Sequence, residues 1–190
     1  MATSSRRRGP GSRADESHPT RHDLLRAAAK VVDRDGLAAL SIDAVTSEAG
    51  LAKGTFYIHF ADRSALLVEL HRRFHDDLFE TIDRETSPLE PGPERARARM
   101  AAFLDGCRRQ AGVRAMLLQA RSEPSVLSEV DRRNEEAARL LAADLRGVAE
   151  YPAETAHLLV AATAEVALRE LRAGRTLPRL RASLIAIIPA

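Results

Sequence analysis

Gly50 stands between two short amphipathic segments, and this one break constrains the chain more than any other feature. In SIDAVTSEAGLAKGTFYIHF, residues 41–60, Ser41 is placed to cap a helix whose apolar positions Ile42, Val45 and Ala49 recur at i, i+3 and i+7, the spacing of one buried face. Gly50 then ends that helix in the left-handed conformation that glycine adopts without strain. Leu51 can fill the angle, and residues 52–58 form a second helix. Two helices joined by a tight glycine turn are a helix-turn-helix, in which the second helix enters the major groove of duplex DNA. The polar residues of that helix suit the task. Lys53 and Thr55 can reach phosphates or base edges, Gly54 allows close backbone approach, and Tyr57 and His59 bring hydrogen-bonding groups to its far end. Phe56, Ile58 and Phe60 are expected in the core.

Around this motif the chain reads as helical throughout. Hydrophobic residues are 45% of it but aromatics only 4%, a balance that suits helices packed through Ala and Leu better than strands. Residues 1–17 form a small, basic tail in which Gly9, Pro10 and Gly11 block a helix. The tail's Arg6, Arg7 and Arg8 suit either a solvated segment or a minor-groove arm. Thr20 is expected to cap a first helix, with Asp23 completing a weak capping box, and Gly36 stops it. Asp62 is expected to cap a long fourth helix with Leu66, Leu67, Leu70, Phe74 and Leu78 inward. Pro88, Pro91, Gly92 and Pro93 break that helix. Further helices follow over about 94–110, a short piece near 113–121, one opened by Pro124, and two with Pro152 and Pro178 in their first turns.

The ordered residues from Thr20-Arg21 through Leu24-Leu25-x-x-Ala28, Val31-Val32, Asp35-Gly36-Leu37, Ser41-Ile42, Gly50-Leu51-Ala52-Lys53-Gly54-Thr55-Phe56-Tyr57-Ile58-His59-Phe60 and Asp62-Arg63-Ser64-x-Leu66-Leu67 resemble the TetR family of transcriptional regulators. The resemblance covers about residues 20–80. It implies an all-α protein of about nine helices: a three-helix DNA-binding domain over 18–62 with helix 4 starting at its end, then a helical effector-binding and dimerisation domain over 63–190. On this reading Ser41, Lys53, Gly54, Thr55, Tyr57, His59 and Arg63 form the DNA-binding set. Two positions depart from the family pattern. Ala52 replaces the usual serine cap of the recognition helix, at a cost of roughly 1 kcal/mol. Arg63 replaces a common lysine and keeps the positive charge for a phosphate.

The resemblance also implies a small-molecule effector, a double-stranded operator and a homodimer as partners, with no cofactor. Phe103, Cys107, Met116 and Gln119 lie on helices that enclose the ligand in relatives, although apolar residues at such spacing also serve as plain core. Leu158, Ala162, Leu184 and Ile188 mark the expected dimer seam, because the last two helices are apolar on more than one face. Their rival role is the protomer's own core. His71 and His75, at i and i+4, can share a metal, but spacing marks no third ligand, so no metal is expected.

The net charge of +2 excludes a polycation, and the positive excess falls in the first 60 residues, towards the motif. Cys107 is the only cysteine, which excludes an intramolecular disulfide framework. A buried, inert thiol is expected rather than an oxidant sensor beside Arg108 and Arg109. No apolar run reaches the ~20 residues a bilayer requires, and residues 1–16 lack the apolar stretch of a signal peptide. The expected location is the bacterial cytoplasm. Glycine-rich nucleotide loops, metalloprotease motifs and nucleophile elbows are missing from the sequence, so an enzyme is not expected. The reading is a ligand-released repressor on a palindromic operator; the alternative is a helical protein-interaction module whose helix-turn-helix no longer binds DNA.

Overall fold

Prolines open five of the helices. Pro19, Pro93, Pro124, Pro152 and Pro178 each occupy the first turn of one, where the missing N–H has no intrahelical acceptor to lose. The computed structural model describes residues 18–111, 114, 115, 118, 121 and 123–188. Among them are eight α-helices and no strand: α1 Pro19–Asp35, α2 Ile42–Ala49, α3 Lys53–His59, α4 Arg63–Thr86, α5 Pro93–Arg109, α6 Pro124–Asp144, α7 Pro152–Ala173 and α8 Pro178–Ala186, with a 3-10 turn at Leu37–Ala39. The expected short helix near 113–121 is described only in part, and the basic tail lies outside the described residues. Helix α1 starts earlier than its sequence suggests. Its cap is His18, whose Nδ1 accepts the Thr20 N–H at 3.2 Å, so Thr20 is inside the helix rather than its cap.

The chain divides into two compact units between Leu70 and His71, within α4. In the first unit α1 packs on α2 and α2 on α3. Leu24, Ala28, Val45, Phe56, Leu66 and Leu67 are almost fully buried there. Arg21 fastens this unit. It forms a salt bridge to Glu69 at 3.0 Å, donates to the His59 carbonyl at 2.9 Å and lies 4.4 Å from the centre of the Phe60 ring. One buried guanidinium thereby ties α1 to the end of α3 and to α4.

In the second unit α6 and α7 form the most extensive helix pair, with α5 and α8 packed against α7. Gly106 permits close packing of α5 against α4: a Cβ at this position would lie 2.2 Å from Leu78 Cδ1. Buried carboxylates fix two further junctions. Asp144 at the end of α6 meets Arg95 and Arg99 of α5. Glu170 of α7 accepts from the Leu177 N–H at 2.8 Å and from Arg181 of α8 at 2.8 and 2.7 Å.

The two terminal positions expected at a dimer seam belong to the protomer's core instead. Leu184 of α8 and Ile188 just beyond its end are each only 3% exposed, and α8 itself packs on α5 and α7. Leu158 is 72% exposed and Ala162 half-buried. No described helix is long and apolar enough to cross a membrane.

Candidate nucleic-acid interface

The helix-turn-helix is built by local chemistry. Ser41 Oγ accepts the Ala44 N–H at 3.1 Å, satisfying one of the unpaired donors at the start of α2. Gly50 adopts φ 66° and ψ 31°, left-handed as expected, and its N–H returns to the Ser47 carbonyl. Helix α3 starts at Lys53 after Ala52, which supplies no side-chain cap. Phe56 is fully buried and anchors the helix from within. Its opposite face is open.

On that face lie Lys53, Gly54 and Tyr57, all exposed, with Thr55 half-buried beside them. Tyr57 is 52% exposed and meets Phe56 edge to face at 5.6 Å, so packing orients the ring while the hydroxyl end stays accessible. Lys53 Nζ lies 2.8 Å from Asp43 Oδ1, an exposed pair whose hydrogen bond raises the lysine's pKa. The lysine therefore stays charged, but a phosphate must compete with Asp43 for it. A Cβ at Gly54 would touch nothing within 4 Å. The protein's own packing does not demand a glycine there.

Two expected contact residues point elsewhere. His59 is only 8% exposed, its ring centre 5.0 Å from that of His18, because it falls on the side of α3 that faces α1. Arg63 spends its guanidinium on the turn before α2, donating from Nε to the Leu40 carbonyl at 2.8 Å and from a terminal nitrogen to the Leu37 carbonyl at 3.4 Å. Polarity at a motif position does not reveal which way a side chain faces. Ser41 is exposed, but its hydroxyl already serves as the cap. Ile58, expected in the core, is half-buried.

The second unit holds a half-open cavity of about 420 Å³ lined by helices α4 to α7. Phe103 lines it as expected. Cys107 does not; it is buried at 3% exposure, and burial pushes its thiol pKa up. Met116 and Gln119 lie outside the described residues. His75 and Phe79 contribute to the wall together with Glu80 and Asp83. The spacing 75, 79, 83 along α4 was the sequence signal for this wall. His71 and His75 stack at 4.5 Å. Burial lowers both pKa values: to about 4 for His71, where Glu129 opposes it and nearby arginines add to it, and to about 2 for His75, where His71 and the same arginines add to it, so both rings are neutral at pH 7. No group of three potential metal ligands gathers among the described residues.

Residues 24–70, which hold the whole helix-turn-helix, match the profile of bacterial regulatory proteins of the tetR family. Through this segment the chain is similar to the TetR family. The HTH-type transcriptional repressor KstR2 of Mycolicibacterium smegmatis is 35% identical over 85 residues, 43% of this chain and 38% of that repressor. KstR2 of Mycobacterium tuberculosis is 33% identical over 81 residues, 40% of each chain. These matches span less than half the length of the curated relatives. The fold is shared more widely. A transcriptional regulator from Rhodococcus sp. Rha1 superposes with a TM-score of 0.74 at 22% identity, covering 88% of this chain and 93% of that one. The multidrug binding protein EbrR, solved with imidazole, gives 0.72 at 25% identity, covering 90% and 95%.

Proposed function

We propose that this chain is a TetR-family, ligand-released transcriptional repressor that binds a palindromic operator as a homodimer. The open face of α3 carries the reading: Lys53, Gly54 and Tyr57 are presented to solvent on a helix whose other side is fixed by buried Phe56. Two copies would place their α3 helices in successive major grooves, about 34 Å apart. The outward face of α7 and α8 supplies the dimer contact. There Leu158 and Ile187 are 72% and 62% exposed and Ala161, Ala182 and Ala186 are exposed too, among the exposed polar residues Glu154, His157 and Glu165; large apolar side chains left open in this way suit a helix-packing contact. Helix α4 carries His75, Phe79 and Ile82 of the cavity wall and begins at Arg63. An effector that tilts α4 would change the half-site spacing, and operator would weaken effector binding by the same factor. KstR2 is a repressor by name, which fits repression, and EbrR has also been solved with malachite green, which fits a small-molecule effector.

A mobility-shift assay on the promoter upstream of the protein's own or neighbouring gene tests this reading. Lys53→Ala and Tyr57→Phe should each weaken binding by about 1–3 kcal/mol with the fold unchanged, Lys53→Ala also flattening the salt dependence if it holds a phosphate. Asp43→Asn, which releases Lys53, should strengthen it. Absence of any specific shift, or no response to all three variants, would favour a protein-interaction module.

Gly54→Ala gives an independent check. Alanine is favoured over glycine within a helix by about 1 kcal/mol, and the added methyl meets nothing in the chain. The variant should melt slightly higher yet bind operator less well, because the methyl intrudes where the α3 backbone approaches DNA. Undiminished operator affinity would place the DNA away from this backbone.

A further inference from the structure

We propose that Arg114 and Arg121, beside the stacked rings of His71 and His75, form a binding site for one carboxylate group. This rests on reading the second unit as an effector-binding domain and adds to it a named site with its own chemistry. Arg114 lies just past α5, where its N–H returns to the Gln110 carbonyl at 2.9 Å, and it is only 3% exposed. Its Nε is buried without a hydrogen-bond partner. The contact its guanidinium makes among the described residues is with an aromatic ring, the Phe103 centre at 5.8 Å, rather than with a carboxylate. A guanidinium does not shed its proton, and burying it unpaired is strongly unfavourable. Its planar fork matches a carboxylate with two parallel hydrogen bonds. The imidazoles add further donors. His71 and His75 are 2% and 6% exposed, their ring centres lie 4.5 Å apart, and the Nδ1 of each is likewise buried and unpaired. Buried polar atoms without partners, gathered from two segments of the chain, mark a place that an occupant satisfies.

The surrounding charges set the sign. Arg114, Arg121 and Arg133 all act on both histidines. Burial first, then the charge of Arg114, pulls the Arg121 pKa down, with Asp131 opposing. Glu129 is the acid that acts on His71, but its carboxylate is already shared among Arg132 at 2.5 Å, Arg133 at 3.2 Å and Arg72 at 3.6 Å. Arg133 is paired in turn with Asp76 and Glu136. The charge of Arg114 is left unanswered among the described residues, which suits a single carboxylate. The site adjoins the cavity, because Phe103 and His75 stand in its wall. The acidic part of that wall is elsewhere: exposed Glu80, and Asp83, which faces Arg99 at 3.6 Å, follow His75 by about 8–12 Å along α4 at 1.5 Å per residue. A molecule with an apolar body in the cavity is thereby oriented with its carboxylate towards Arg114.

Phenylbutyrate and phenylbutanol share an apolar body and differ in charge, so calorimetric titration of the full-length chain with each, at neutral pH, isolates the carboxylate. The acid should bind at least about tenfold more tightly than the alcohol. Acetate, used as a competitor, separates two sources of the same chemistry: it should displace the acid only at far higher concentration if the cavity holds the apolar body, and at similar concentration if the site takes a free small anion. Arg121→Gln should reduce acid affinity about three- to tenfold with unchanged helical circular dichroism, and should leave the alcohol unaffected. Arg114→Met should abolish the preference for the acid. Because it replaces an unpaired buried charge with an apolar side chain, the ligand-free variant should also melt at a higher temperature than the native chain. Equal binding of acid and alcohol, failure of both to bind, undiminished acid affinity in both variants, or a lower-melting Arg114→Met protein that still prefers the acid would overturn the assignment. Operator binding is measured separately on ligand-free protein. A protein that shifts operator but ignores the acid refutes this inference alone, whereas one that binds the acid but no operator refutes only the repressor reading.

Discussion

Leu184→Asp should unfold the second unit, whereas Leu158→Asp combined with Ile187→Asp should leave it folded but monomeric. Leu184 is 3% exposed within a single protomer, so aspartate there buries an unpaired carboxylate and removes a core side chain together. Those two mechanisms account for the largest single-site losses, about 4 kcal/mol or more. Leu158 and Ile187 are 72% and 62% exposed, and charge at these positions costs the protomer little. In a dimer built on that face the same charges would be buried in pairs. Sedimentation should then report a monomer with undiminished helical circular dichroism, and operator affinity should fall by about 10²- to 10⁴-fold as the two half-sites lose their linkage. A dimer that persists with full operator affinity would move the interface elsewhere. A stable, helical Leu184→Asp protein would contradict the packing of α8.

This pair of variants shows where sequence reading stops. The amphipathic period of α8 marked Leu184 and Ile188 as apolar, but a period reports only that a face is buried, not whether the cover is the same chain or a second copy. The first unit was legible because its signals are local. A serine cap, a left-handed glycine and one buried phenylalanine each act over a few residues, and all stand where the sequence places them. Even there, His59 and Arg63 point inward, since hydrogen-bonding capacity in a side chain fits a carbonyl of the fold as readily as a phosphate. The cavity was largely illegible. Its wall draws three to five residues from each of four helices far apart in sequence, and no local pattern announces which faces of those helices meet. Gly106 was equally silent, because a glycine inside a helix has no sequence signature of the leucine it must admit.

The second large effect is expected at Glu170, whose side chain is fully buried between α7 and α8. Glu170→Ala should destabilise the protein by about 3–5 kcal/mol, because it strands a largely buried guanidinium and the Leu177 N–H. Arg181 keeps only Asp105 at 2.6 Å, a partner that is itself half-exposed. The hydrogen bond from Arg181, opposed by burial and aided by the Leu177 amide and the charges of Arg181 and Arg108, holds the Glu170 carboxyl below the ordinary glutamate range. A carboxyl depressed in the folded state stabilises the fold fully above its unfolded pKa, about 4.3. That contribution is lost as pH falls from there through the lower folded value. Urea unfolding from pH 7 down to pH 3 should therefore show a steep acid limb in the native chain and a shallower one in Glu170→Gln, which retains an acceptor for the Leu177 N–H but no charge. Parallel acid limbs in the two proteins would show that other carboxylates govern acid stability. Glu129 is the alternative source: burial would raise its pKa, but the hydrogen bonds and charge of Arg132, with Arg72 and Arg133, outweigh that effect and bring it down to about 2. Because Glu170 docks α8, and α8 carries Ile187 on the proposed dimer face, Glu170→Ala should also weaken dimerisation at protein concentrations where the fold survives. Intact dimerisation in that variant would mean that the seam does not depend on how α8 is held.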